Sequence, residues 1–162
     1  MKWNYPGYVE KKIMAMTVKG IYVLILRLNE DTDIIVGKLG ELKFRTGFYA
    51  YIGSALGTGG FKRITRHFNV ANGKSFVRKW HIDYLLPQTE VISAVLLPTD
   101  DALECTVAEE FGGIFKGITG FGCTDCACRS HLFFSGTNPE GNAANICNQV
   151  TGIESIILRP DI

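Results

Sequence analysis

Nine consecutive residues, Gly20 to Leu28, read GIYVLILRL. This run is rich in β-branched, aliphatic and aromatic side chains, which favour a pleated, packed surface, and it reads as a buried strand. Further short strands are expected over 34–36 and 42–45, around Gly37 and Gly40, and over 48–52, 91–97, 131–134 and 153–158. Within 48–52 the period of two puts Tyr49 and Tyr51 on one face and Phe48, Ala50 and Ile52 on the other.

Helical spacing appears between these strands. Phe61, Ile64 and Phe68 recur on one face, with Lys62, Arg63, Arg66 and His67 expected on the other. A second helix is predicted over 77–86, stopped by Pro87, and a third from a cap at Thr99 or Asp100 to about Phe115. Leu103, Val107, Phe111 and Ile114 form the apolar stripe of the third. A short helix is expected over 140–149. The run GSALGTGG, 53–60, must be a loop. Strands first, helices in the middle and mixed elements afterwards predict an α+β domain, with a small, mostly antiparallel sheet and flanking helices.

The length of 162 residues suits one domain with its own core. We expect a single domain over 20–160 and an N-terminal extension over 1–19. With 46% hydrophobic and 20% charged residues the composition is that of a soluble globular protein. No apolar run approaches the roughly 20 residues that span a bilayer, and the first 19 residues lack a signal-peptide core. A cytoplasmic location and no membrane partner are the expectations. The five cysteines, an odd count, argue against a disulfide framework.

Net charge is +1, yet the charges are segregated. Between Leu42 and Ile82 lie eight Lys or Arg and no acid, whereas between Asp83 and Asp125 lie eight acids and one base, Lys116. Such a division could set a phosphate-binding surface beside a metal-binding one, or the two segments could pair with each other across the fold.

Gly20-Ile21-Tyr22 and Tyr51-Ile52-Gly53 fall on two predicted strands, followed by a loop and an arginine-bearing helix. Here the chain resembles the GIY-YIG endonuclease superfamily, and within it a branch marked by YIGSALG, RHF, WHIDYLL, an EC pair and FGxxDCxCxSHLF. The corresponding residues are Tyr49 to Gly57, Arg66 to Phe68, Trp80 to Leu86, Glu104-Cys105 and Phe121 to Phe133. The resemblance covers roughly 20–135. Twenty-eight residues separate Tyr22 from Tyr51, more than in the better-studied nucleases, and the excess reads as an inserted strand pair over 34–45.

The resemblance implies a metal-dependent endonuclease acting on DNA, less readily on RNA, with a role in repair. Tyr22 would assist proton removal from water, with Tyr51 beside it. Arg63 would contact the phosphate through its planar fork, and Glu104 would hold one Mg²⁺ or Mn²⁺. The basic helix face, Lys62 and Arg66, would bind nucleic acid. His67 and His81 would contact phosphate or shuttle a proton, or serve as structural hydrogen-bonders. Glu109 is a rival to Glu104: five residues later on one helix, it points about 140° away, so both cannot face one site.

A second constellation is Cys123, Cys126, Cys128 and His131. Three thiols and an imidazole could ligate Zn²⁺. The alternative is that Cys126 and Cys128 pack as small buried residues. Two further readings therefore stand beside the nuclease: a non-catalytic nucleic-acid-binding module on the same fold, and a zinc-stabilised interaction domain.

Overall fold

The structure is a computed structural model that describes residues 3–4, 18–123 and 128–160. Its strands are β1 (Trp3–Asn4), β2 (Gly20–Leu28), β3 (Thr32–Ile35), β4 (Glu41–Phe44), β5 (Gly47–Ser54), β6 (Glu90–Pro98), β7 (Lys116–Gly117), β8 (Leu132–Ser135) and β9 (Ile156–Pro160). Its helices are α1 (Lys62–Ala71), α2 (His81–Leu85), α3 (Glu104–Gly112) and α4 (Glu140–Thr151).

The α+β class and the antiparallel sheet follow the sequence. Seven strands run in the order β1-β9-β6-β2-β5-β8-β7, and every described pairing is antiparallel. The GIYVLILRL strand is the middle of the sheet, hydrogen-bonded to β5 on one side and β6 on the other. Its composition explains that place, since both of its faces are covered. Ile21, Val23 and Ile25 join Val107 and Phe111 of α3 and Ile146 of α4 in one core. Tyr22, Leu24 and Leu26 join Ile64 and Phe68 of α1 and Ile82 and Leu85 around α2 in the other. Each such aliphatic or aromatic side chain contributes about 1.5–3 kcal/mol over an exposed one.

The insert between the two tripeptide strands is the expected strand pair. β3 and β4 form a separate two-stranded ribbon, register Thr32↔Phe44 to Ile35↔Glu41. Val36 and Phe44 anchor it in the core on the Tyr22 side of the sheet. β2 and β5 thus remain direct neighbours, with Tyr22 opposite Gly53. Before β2, Trp3 and Asn4 pair with Pro160 and Arg159 and extend one edge.

Two helices start later than their sequence patterns predict. α2 starts at His81, not Val77, because the Asp83 carboxylate accepts the backbone N–H groups of Lys79 and Trp80 (2.8 and 2.9 Å) and holds Trp80 extended. α3 starts at Glu104 because the Thr99 hydroxyl is spent on a local turn, accepting from Asp101 N, instead of capping a helix. α3 also ends early, at Gly112, so Ile114 is exposed.

Candidate functional site

Two glycines of the tripeptides are set by close packing. A Cβ on Gly53 would fall within 3.0 Å of the Tyr22 ring, and one on Gly20 would strike the Leu97 carbonyl and the Phe61 ring. Gly53 therefore lets the Tyr22 ring lie across its neighbouring strand. Tyr22 and Tyr51 belong to the same core cluster and so share one face of the sheet.

Beneath them α1 delivers His67. The sequence pattern placed it opposite the core with Lys62, Arg63 and Arg66; in the structure it is 1% exposed. The correction has a simple cause. His67 stands three residues after Ile64 and one before Phe68, so it extends the apolar stripe of the helix. Its Nε2 lies 2.6 Å from the Tyr22 hydroxyl, while its Nδ1 has no hydrogen-bond partner among the described residues. Burial, and then the nearby Arg66 charge, push the His67 pKa down to about 3, so the imidazole is neutral. Burial, and then Tyr51, raise the Tyr22 pKa well above the usual phenol value. Tyr51 moves the same way, through burial first and Glu104 next. Both tyrosines are neutral phenols near pH 7.

Above this pair is a cavity of about 390 Å³. Tyr22, Tyr51, Arg63, His81, Glu104 and His131 line it, with Lys79, Trp80 and Ser54. Arg63 is aimed by a hydrogen bond from Nη1 to the Ser54 carbonyl (2.8 Å) and lies over the Trp80 ring at 4.8 Å. His81 accepts the Gly122 N–H at Nδ1 (2.8 Å), so its other nitrogen carries the proton of the neutral ring. Burial lowers the His81 pKa.

Arg66 has a different setting from the one its helix face suggested. Its two terminal nitrogens donate to both oxygens of Asp83 (2.8 and 2.9 Å), and its guanidinium stacks 4.0 Å from the Trp80 ring. Asp83 is fully buried. Burial alone would raise its pKa, but Arg66 and the two backbone donors outweigh that and lower it. The RHF and WHIDYLL segments are thus one assembly, with Arg66 bracing the wall that carries Trp80 and His81. Lys62 is exposed on the outer face of α1.

The two glutamates separate as helical geometry requires. Glu104 lines the cavity of the tyrosines. Glu109 faces a second, larger cavity of about 720 Å³, beside Lys116, Arg129 and Phe133. That cavity holds neither tyrosine nor Arg63, and its size alone does not make it the centre of the chemistry.

The cysteines group differently from the expected C-x2-C-x-C-x2-H set. Cys105, at the start of α3, is joined to Cys128 by a disulfide, contrary to the expectation from the odd count. Cys123 is not part of the group: its thiol points to the Phe121 carbonyl at 3.5 Å. Cys126 lies outside the described residues. His131 is 2% exposed, with Nε2 at 4.0 Å from the Cys105 sulfur and Nδ1 at 3.4 Å from Glu104 Oε1. One donor atom each from Cys105, Cys128 and His131 lies within 4.8 Å of the others, a group that could hold a metal ion.

Among the described residues no helix is long and apolar enough to cross a membrane. Neither the curated proteins nor the solved structures compared with the chain gave a match. A family model does match residues 21–152, from the central strand through α4. With most of its length covered by that match, the chain belongs to the family described as Domain of unknown function DUF123.

Proposed function

We propose that this protein is a metal-dependent endonuclease of the GIY-YIG type, hydrolysing phosphodiester bonds in DNA. The observation that carries the reading is the convergence of Tyr22, Tyr51, Arg63, His81 and Glu104 on one cavity. Arg63 offers a positive, planar donor to a phosphoryl oxygen, held in place before substrate arrives. Lys79, at the rim, and Lys62, exposed on the same helix as Arg63, give the flanking phosphates further cations.

Tyr22 is a neutral phenol and so cannot act as a tyrosinate base. Its hydroxyl, fixed by Nε2 of His67 at 2.6 Å, is instead a neutral hydrogen-bonding group that orients water in the cavity. A divalent cation would sit at Glu104. Glu104 supplies one partly exposed carboxylate, and the cavity leaves the other positions to water and phosphate oxygens, the usual manner of binding Mg²⁺ or Mn²⁺. When bound, that ion would neutralise charge on the phosphoryl group and lower the pKa of water.

A test uses purified chain on supercoiled plasmid, flap, bubble and single-stranded DNA and structured RNA, with Mg²⁺ or Mn²⁺. Nicking of at least one DNA substrate, abolished by chelator, is the expected result. Binding without cleavage under either metal would favour a non-catalytic nucleic-acid module on the same fold.

A further inference from the structure

The Cys105, Cys128 and His131 cluster has a second chemistry beside the disulfide. We propose that, once Cys105 and Cys128 are thiols, their two sulfurs and Nε2 of His131 form a three-ligand site for a zinc-class ion. The proposal stands apart from the nuclease reading, because it concerns soft donors and requires no nucleic acid.

The geometry supports it in three ways. First, ligand spacing is right. With Zn–S about 2.3 Å and Zn–N about 2.0–2.1 Å, tetrahedral binding separates S from N by about 3.6 Å and the sulfurs by about 3.8 Å. Nε2 of His131 is already 4.0 Å from the Cys105 sulfur, and the two cysteine Cα atoms, 6.0 Å apart, leave the thiolates room to part by side-chain rotation.

Second, the imidazole is oriented for a metal. A histidine that ligates through one nitrogen commonly donates the other N–H to a carboxylate, which fixes the tautomer and ring direction. His131 presents Nδ1 to Glu104 Oε1 at 3.4 Å and Nε2 to Cys105.

Third, the backbone around His131 is pinned. Its N–H donates to the Phe121 carbonyl and its carbonyl accepts from Ile52 N, both at 2.9 Å. The ligands come from two elements, α3 and the segment entering β8. Zinc or disulfide would therefore tie the same two parts, and either would hold the helix turn that bears Glu104.

The conversion balances. Two equivalents of a low-molecular-weight thiol reduce the cystine to two Cys–SH and leave as their own disulfide. Zn²⁺ then displaces two protons from the thiols and takes a fourth ligand from water or another donor.

The experiment uses the full chain reduced with a phosphine, which does not compete as a thiol ligand, and titrated with Co²⁺ without oxygen. We expect one Co²⁺ per chain, with sulfur-to-cobalt charge-transfer absorption, bleached by one equivalent of Zn²⁺. Cys105→Ser and Cys128→Ser should each lose that band. Cys147→Ala should keep it, since Cys147 is buried in the other core. Glu104→Gln should also keep the band, because all three ligands are untouched. That variant separates this site from the nuclease reading, which predicts loss of cleavage. Alkylation mapping on the wild-type chain decides the matter should the serine variants not fold: Zn²⁺ should protect Cys105 and Cys128. No Co²⁺ band in the reduced protein, a band that survives both serine changes, or alkylation rates unchanged by Zn²⁺ would overturn the proposal.

Discussion

The hydroxyl of Tyr22 lies 2.6 Å from Nε2 of His67, and each of the two side chains is 1% exposed. A tyrosine from the central strand and a histidine from α1 thus satisfy each other where water cannot. Removing the hydroxyl by Tyr22→Phe leaves neither His67 nitrogen with a polar partner among the described residues. We expect a loss of about 1–3 kcal/mol, the desolvation penalty of one unmade bond to a buried group, measured by urea unfolding. An unchanged midpoint would mean that the two groups do not share a proton in solution.

Gly53 gives a sharper test of how the cavity floor is built. Gly53→Ala puts a methyl group into the Tyr22 ring, so either the ring or β5 must move. Overpacking of this kind typically costs about 1–3 kcal/mol. Gly141→Ala is the contrast: it lies in α4 with open space around it, and helix propensity favours the change by up to about 1 kcal/mol. Equal effects of the two substitutions on the unfolding midpoint would contradict the close approach.

Arg66 and Lys62 should separate stability from binding. Arg66→Ala strands the buried Asp83 carboxylate with two backbone donors and no cation, and breaking such a pair costs about 3–5 kcal/mol. Lys62→Ala should leave stability within about 0.5 kcal/mol. On duplex DNA it should weaken binding evenly across sequences and reduce the log–log salt slope by about 0.9, one phosphate contact. Thermal unfolding and fluorescence anisotropy over a salt series check the two outcomes.

The sequence was most legible where one residue pattern has one physical solution. GIYVLILRL specifies a strand covered on both faces, and the insert, with its glycine turns, reads as a strand pair, which the fold sets apart as its own ribbon. Tyr22 and Tyr51 were placed together through their tripeptides, and the 140° separation of Glu104 from Glu109 follows from helix geometry. What stayed hidden depended on contacts between distant segments. His67 looked like part of a basic face because its partner, Tyr22, is 45 residues away. Arg66 looked like a phosphate ligand because Asp83 stood across a charge boundary in the sequence. Cys105 was outside the cysteine run, so only the packing of α3 against the His131 segment shows which thiol meets Cys128.

Acid should destabilise this fold well before its carboxylates titrate. The folded-state pKa of His67 is pushed down to about 3, whereas a free imidazole titrates near 6.5. Between those values the unfolded chain binds more protons, so stability rises with pH there and is lost as pH falls from 6.5 toward 3. The slope reaches up to about 1.4 kcal/mol per pH unit for one such histidine. His81 and His131, also lowered by burial, act in the same direction just below pH 6.5. Asp83 adds its loss only below its ordinary value of 3.8. Urea unfolding of wild type and His67→Gln at pH 7 and pH 5 should show a smaller pH dependence in the variant. Equal dependence would mean that the imidazole can be protonated within the folded protein.

Catalysis, finally, divides among the cavity residues in a way four substitutions can read. Glu104→Gln removes a charge from the carboxylate that would hold the divalent ion while keeping its shape, so cleavage should vanish with the fold intact. Glu109→Gln alters a residue that faces the other cavity, and its activity should match wild type. Arg63→Ala deletes the guanidinium set by the Ser54 carbonyl. Loss of one preorganised charge donor is worth about 2.7–4 kcal/mol in comparable sites, or about two to three decades in rate. Tyr22→Phe should lower the rate by a similar factor if the hydroxyl orients the attacking water. The separate stability measurement on that variant shows how much of the loss is unfolding. Rates should be taken as single turnovers at saturating Mg²⁺, so that weaker ion binding is not mistaken for slower chemistry. Cleavage that persists in Glu104→Gln and fails in Glu109→Gln would move the site to the larger cavity. Cleavage unaffected by all four changes would assign the activity to a contaminant.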